Sequence, residues 1–270
     1  ANFPTGRYSN DVNNYMADAH YRLGNQEEAV RIYRLTLEGG NTGFTELAAL
    51  RTSHYLYNAE RYIEAIPYYE RLESISATPE VVFNARLGIM RSTFLTESWN
   101  KSAAYAEKVL TNSSLSNDLS LEAYYAKGMA NYYAKNYDAA KTALVWLTKN
   151  TTTSKSAEAR FSLADIFFKQ GFLNESDKEV TAILKQKPAY NYWIAKALIL
   201  RSRVYIKQEK LFESEQNLKS VLEHYPITDD GIIDEANELW NELMQLKDKP
   251  KSIAPKSNHI IEIKDENGGN

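Results

Sequence analysis

The side chains that could support catalysis or bind a metal are few and poorly spaced. Four histidines, His20, His54, His224 and His259, are scattered over 270 residues, and none has the His-Glu-x-x-His or i, i+4 partner that a zinc site needs. The chain contains no cysteine, which excludes disulfides, thiolate metal sites and cysteine nucleophiles. It also lacks Gly-x-Ser-x-Gly, Gly-x-x-x-x-Gly-Lys and Gly-x-Gly-x-x-Gly, the loops that present a nucleophile or cradle phosphates. Adjacent carboxylates such as Glu27 and Glu28 fall in the first turn of an expected helix, where the helix dipole favours them. No catalytic residue, cofactor or metal is therefore expected, and His20 reads as a half-buried packing residue.

The remaining chemistry is that of recognition. An aromatic recurs at Tyr21, Tyr57, Phe94, Tyr132 and Phe168, with Ile206 in the sixth place, at intervals of 36 to 38 residues. Such a row is either a ladder of rigid platforms for an extended ligand or a set of partly exposed packing residues. Near it fall Asn14, Asp18 and Arg22, then Arg51, His54 and Asn58, then Tyr125 and Tyr133. Lys196, Arg203 and Lys207 are spaced by 7 and 4 residues, which puts them on one stripe of a helix. That stripe faces either an acidic partner segment or solvent.

Composition limits the partner. With 43% hydrophobic, 25% charged and 12% aromatic residues, the chain has enough apolar surface to fold. A net charge of -3 and a pI near 5.9 give no basic field for a phosphate backbone, so nucleic acid is not expected as a partner. The most apolar stretch, Trp193 to Leu200, is short and contains Lys196, so no transmembrane segment is expected. Residues 247–270 mix charge with Pro and Gly and read as a flexible tail.

Positioning the recognition residues falls to a repeat. Units start near residues 10, 46, 83, 121, 157 and 195, and each reads as two amphipathic helices. The second helix of every unit has a small residue near its start: Ala29, Ala65, Ser102, Ala140, Ser176 or Ser214. Packing residues follow four and seven places on. Gly24-Asn25-Gln26-Glu27-Glu28-Ala29 and Lys135-Asn136-Tyr137-Asp138-Ala139-Ala140, with Pro188 and Pro226 where second helices end, resemble the tetratricopeptide (TPR) repeat family over about residues 1–230. The family's aromatic fourth position is Asn13, Ala49, Arg86, Tyr124, Arg160 and Leu198, so one unit keeps it. In the third unit Met90 stands where a small residue belongs and Gly88 lies two places earlier, leaving two registers open. Pro67 is expected in the first turns of its helix, where early N–H groups lack acceptors.

The resemblance implies an all-α, right-handed α-solenoid of stacked helix-turn-helix repeats, with the first helices lining a concave face. Residues 1–246 form this solenoid, closed by a capping helix at about 230–246 whose apolar side is Ile232, Ala236, Leu239, Trp240 and Leu243. Pro4 sits where a preceding repeat would end. The implied function is non-enzymatic: a scaffold binding a protein or peptide along the groove, with possible self-association through an uncapped N-terminal face. The Lys-and-Asn pair that co-chaperone members use to grip a C-terminal carboxylate has no match at Asn14/Asp18, Tyr125/Met129, Phe161/Asp165 or Ile199/Arg203. The 36- to 38-residue spacing is similar to that of bacterial envelope repeat proteins of the outer-membrane assembly and Tol-Pal type, which implies a periplasmic or envelope setting over a cytoplasmic one. Two alternatives stay open: glycan capture of the SusD-like type, and an interaction module cut from a larger protein.

Overall fold

A computed structural model describes residues 9–38 and 43–248. These form thirteen helices: α1 Ser9–Arg22, α2 Gln26–Glu38, α3 Thr45–Asn58, α4 Tyr62–Ile75, α5 Pro79–Leu95, α6 Trp99–Leu110, α7 Asn117–Tyr133, α8 Tyr137–Asn150, α9 Ser154–Lys169, α10 Leu173–Lys185, α11 Asn191–Lys207, α12 Leu211–His224 and α13 Ile232–Asp248. The expected starts fall one to four residues inside the odd-numbered helices. The expected flexible tail lies, beyond Asp248, outside the described residues, as does Pro4.

Each helix packs on the next, and the first helices also meet one another directly, α5 on α7, α7 on α9, α9 on α11 and α11 on α13. The odd-numbered helices therefore form the inner layer of a solenoid and the even-numbered ones its outer layer. Two local devices repeat through this stack. One is the turn between the paired helices, where a left-handed residue recurs in the same place: Gly24 (φ 80), Glu60 (φ 59), Glu97 (φ 56), Lys135 (φ 62), Gly171 (φ 82) and Glu209 (φ 60). Only the two glycines take this conformation without a Cβ penalty. The other is the close approach at the small residue, which is fully buried in all six units.

Where that residue is serine, its hydroxyl donates to the carbonyl twelve residues earlier: Ser102 to Met90 at 3.3 Å, Ser176 to Ala164 at 2.8 Å and Ser214 to Ser202 at 3.1 Å. The shared geometry resolves the third unit's register, with Met90, not Gly88, in the small-residue place. At the fourth position the missing aromatics are replaced by other links. Arg86 donates to Glu73 at 2.8 Å and Arg160 to Glu179 at 3.2 Å, while Tyr124, which keeps the aromatic, stacks on Trp146 at 3.9 Å. Pro67 departs from expectation. It is the sixth residue of α4, one turn in, so the Ile63 carbonyl loses the N–H that would otherwise donate to it.

Helix α13 closes the stack. Ile232, Ala236, Leu239 and Leu243 are buried against Ala195, Ile199, Leu218 and Val221, with Trp240 partly buried beside them. Each large side chain so buried contributes roughly 1.5–3 kcal/mol. Asp234, Asn237, Glu238, Asn241 and Glu242 face outward, the polar outer surface that a terminal helix of a solenoid requires. Among the described residues, no helix is long and apolar enough to cross a membrane.

Candidate functional site

The inner layer changes character along its length. From α7 to α13 it is tied together by side chains that run from one first helix to the next. The Tyr125 hydroxyl donates to Glu158 at 2.9 Å and the Tyr132 hydroxyl to Asp165 at 2.6 Å, both joining α7 to α9. Burial and these carboxylates push both phenols far above their usual range. Glu158, desolvated in the same place, has its carboxyl raised above the ordinary value. Lys207 lies over the Phe168 ring at 4.5 Å and Lys196 over Phe161 at 5.7 Å, which join α9 to α11.

The basic stripe on α11 meets an acid from its own chain. Glu235, in the first turn of α13, accepts from Lys196 at 2.8 Å and from Arg203 at 3.4 Å. The acidic segment facing these two cations is thus the capping helix. This link was invisible in the sequence because it spans more than thirty residues and depends on how α13 docks.

Elsewhere the expected recognition residues are also engaged. Asn14 is 3% exposed, so it lies inside the helix packing and not on the open face. Its neighbour Asp18 pairs with Arg22 at 2.7 Å. Tyr21 lies beneath the Arg51 guanidinium at 3.8 Å. Phe94 is held between Trp99, 5.5 Å away, and Tyr125, 5.8 Å away. Tyr133 is the open member of this group, 46% exposed and stacked on Trp99 at 4.6 Å.

The step from α3 to α5 is different, for here the concave face opens into a cavity of about 380 Å³. His54, Tyr57 and Asn58 line it from α3; Asn84, Leu87, Gly88 and Arg91 line it from α5; and Tyr69 of α4 forms its floor. The floor exists because of Gly88. A Cβ there would stand 2.5 Å from Tyr69 Cζ, so only glycine lets the ring lie against α5. Tyr57 packs edge-on to Tyr69 at 6.5 Å and to Tyr62 at 5.2 Å, and the His54 ring lies 6.0 Å from Tyr69. Burial pushes the Tyr69 phenol up to about 12 and raises Tyr57 as well. His54 is shifted the other way, favouring the neutral imidazole, by desolvation and then by the Arg51 charge. Arg91 makes a two-pronged contact with Glu122 of α7, at 2.6 and 2.7 Å, which keeps the guanidinium charged.

Of these residues, the sequence had singled out Tyr57, with His54 and Asn58 beside it. Tyr69, four places after Ala65, was read as a packing residue and not as part of a site, and Asn84, Leu87 and Arg91 were missed. The available signal was Gly88, which looked like a register slip and is instead the small residue that admits the floor.

A larger cavity of about 790 Å³ surrounds the α1–α2 turn, and its three arginines are held in ion pairs. Arg31 pairs with Glu28 at 2.6 Å, and Arg34 and Arg61 share Glu64 at 3.1 and 2.7 Å. Among the described residues, no cluster of His, Cys, Asp or Glu could hold a metal.

No family model matches the chain, nor does any curated protein. Solved structures do. YrrB, a TPR protein with an unusual peptide-binding site, aligns with TM-score 0.54 and 16% identity over 76% of this chain and 97% of its own. Pseudomonas aeruginosa PilF aligns with TM-score 0.50 and 12% identity over 87% of this chain and 97% of its own. PilW, a type IV pilus biogenesis factor, gives 0.49 and 15% over 87% of this chain and all of its own. At these identities the likeness concerns architecture. The chain has the fold of tetratricopeptide-repeat proteins.

Proposed function

We propose that this protein is a non-enzymatic interaction scaffold that holds an extended segment of a partner protein along its concave face, with the α3–α5 cleft as the principal contact. The observation that carries this reading is the contrast within the inner layer. From α7 onward the concave side chains are spent on joining one repeat to the next, whereas between α3 and α5 aromatic, carboxamide and imidazole groups surround open space. Concave, largely preformed sites with an apolar floor and a few polar groups are where ligands usually bind. The peptide-binding site of YrrB, on the same fold, supports the reading by analogy. An envelope setting belongs to the same proposal through the partner's identity.

The test is affinity capture from source-cell lysate with the unaltered chain and with an Asn58→Ala/Asn84→Ala variant of equal thermal stability. A protein retained by the first and lost by the second is the expected result. Equal retention by both would place the contact elsewhere.

A further inference from the structure

Resting on that groove reading, we propose that the α3–α5 cleft is an anchor pocket for one uncharged aromatic or branched aliphatic side chain of the bound segment, with Asn58 and Asn84 hydrogen-bonding the main-chain amides beside it. The volume, about 380 Å³, lies at the small end of ligand sites, roughly 300–1,000 Å³, and suits a single residue. Its floor is apolar: Tyr69 is 4% exposed and Leu87 7%, with the Gly88 backbone between them. Two carboxamides at the rim offer both a donor and an acceptor, which is the pairing a peptide amide needs.

The charges argue against an ionic anchor. No carboxylate is among the lining residues, so a Lys or Arg side chain would be desolvated beside Arg91 without a counter-ion. An acidic side chain would have to compete with Glu122, which holds Arg91 through two hydrogen bonds. The other nearby cation, Arg51, has its guanidinium over the Tyr21 ring of α1. The shift of His54 toward the neutral form means that the imidazole adds no second positive charge beside Arg91.

The test uses three probes and amide NMR of the whole chain: N-acetyl-phenylalanine methylamide, which is uncharged; N-acetyl-phenylalanine, which keeps a carboxylate; and N-acetyl-lysine methylamide. The uncharged probe is expected to bind with a Kd of about 1 mM, the order for a ligand of its size, and to shift the amides of α3 and α5 around His54 and Gly88. The lysine probe is expected to bind about tenfold more weakly, the effect of one uncompensated desolvated charge or more, and the carboxylate probe more weakly than the uncharged one because a carboxylate has no N–H to donate to the rim carboxamides. Asn84→Asp, which adds a rim carboxylate at constant size, should weaken the uncharged probe and strengthen the lysine one. Tighter binding of either charged probe, shifts confined to another region, or no shifts at all would overturn the proposal. The two readings separate cleanly. A partner captured through the groove while the probes miss the cleft leaves the scaffold standing without this anchor. Probes seated in the cleft while capture ignores Asn58 and Asn84 leave the pocket but not the scaffold contact.

Discussion

Two steps of the same solenoid, α3 to α5 and α7 to α9, use equivalent positions in opposite ways. At the first, the large residue is Tyr69 on the outer helix and the facing residue is Gly88; the ring lies flat against the backbone and the inner face opens above it. At the second, the corresponding pair is Leu144 and Ser162, both buried, and the aromatics stand on the inner helix, where Tyr125 and Tyr132 donate to Glu158 and Asp165. Tyr57 and Tyr132 hold the same place on their inner helices, yet the first lines open space above the Tyr69 floor and the second is a crossbar to the next repeat. A repeat protein can therefore localise a site without changing its backbone plan, by enlarging one residue of the outer helix and shrinking the residue that faces it.

The largest expected effect comes from removing the floor. Tyr69→Ala should cost about 3–5 kcal/mol, the range for deleting a buried aromatic, read as a fall in urea midpoint at constant m-value. Gly88→Ala comes next. Its Cβ meets a ring that is 4% exposed, so overpacking of about 1–3 kcal/mol should outweigh the helix gain of about 1 kcal/mol that alanine brings. Gly128→Ala is the control at the closed step: its Cβ meets the Leu144 methyl at 2.9 Å, a flexible end, and the change should stay within about 1 kcal/mol. If both glycine variants behave alike, the special role of Gly88 is wrong.

Tyr132→Phe should cost about 1.5–3 kcal/mol by removing one hydrogen bond to a charged acceptor, while leaving the cleft untouched in probe-binding NMR.

Acidity sharpens the comparison because the signs differ. The folded-state pKa of His54 is depressed, so the unfolded chain binds the extra proton and stability falls as pH drops below about 6.5. Glu158 has a raised folded-state pKa; the folded chain binds the extra proton, and the same drop relieves its burial. Lowering the pH from about 7 to about 4.5 should therefore lower the amide protection factors around His54 and raise those around Glu158, each taken relative to the intrinsic exchange rate at that pH. His54→Gln and Glu158→Gln should each abolish the local change. The smallest effect is expected at the turns. Glu97→Gly relieves a left-handed residue at φ 56 but frees the unfolded chain, for a net gain of at most about 1 kcal/mol in thermal unfolding.

The architecture was legible because the signals that fix it are local and repeated: a small residue per unit, apolar positions four and seven places on, and a last helix with one apolar face. The site was less so. Lys196 and Arg203 looked like a free basic stripe because their acid, Glu235, comes from the docked cap. Asn14 looked like a surface residue, since burial of a polar side chain leaves no mark on periodicity. Four of the six left-handed turn residues are Glu or Lys, so composition gave no break there. Gly88 violated the repeat and was informative for that reason, for a residue that breaks a local rule in a packed stack marks a place where something else has been admitted.

The most direct test of the cleft as the place where a partner enters is photo-cross-linking in source-cell lysate, with benzoylphenylalanine in place of Asn84 at the open step or of Lys169 at the closed one. A discrete adduct from position 84 and little or none from position 169 is the expected result. Equal adducts from both, or an adduct from position 169 alone, would contradict the division of the groove into an open step and tied ones.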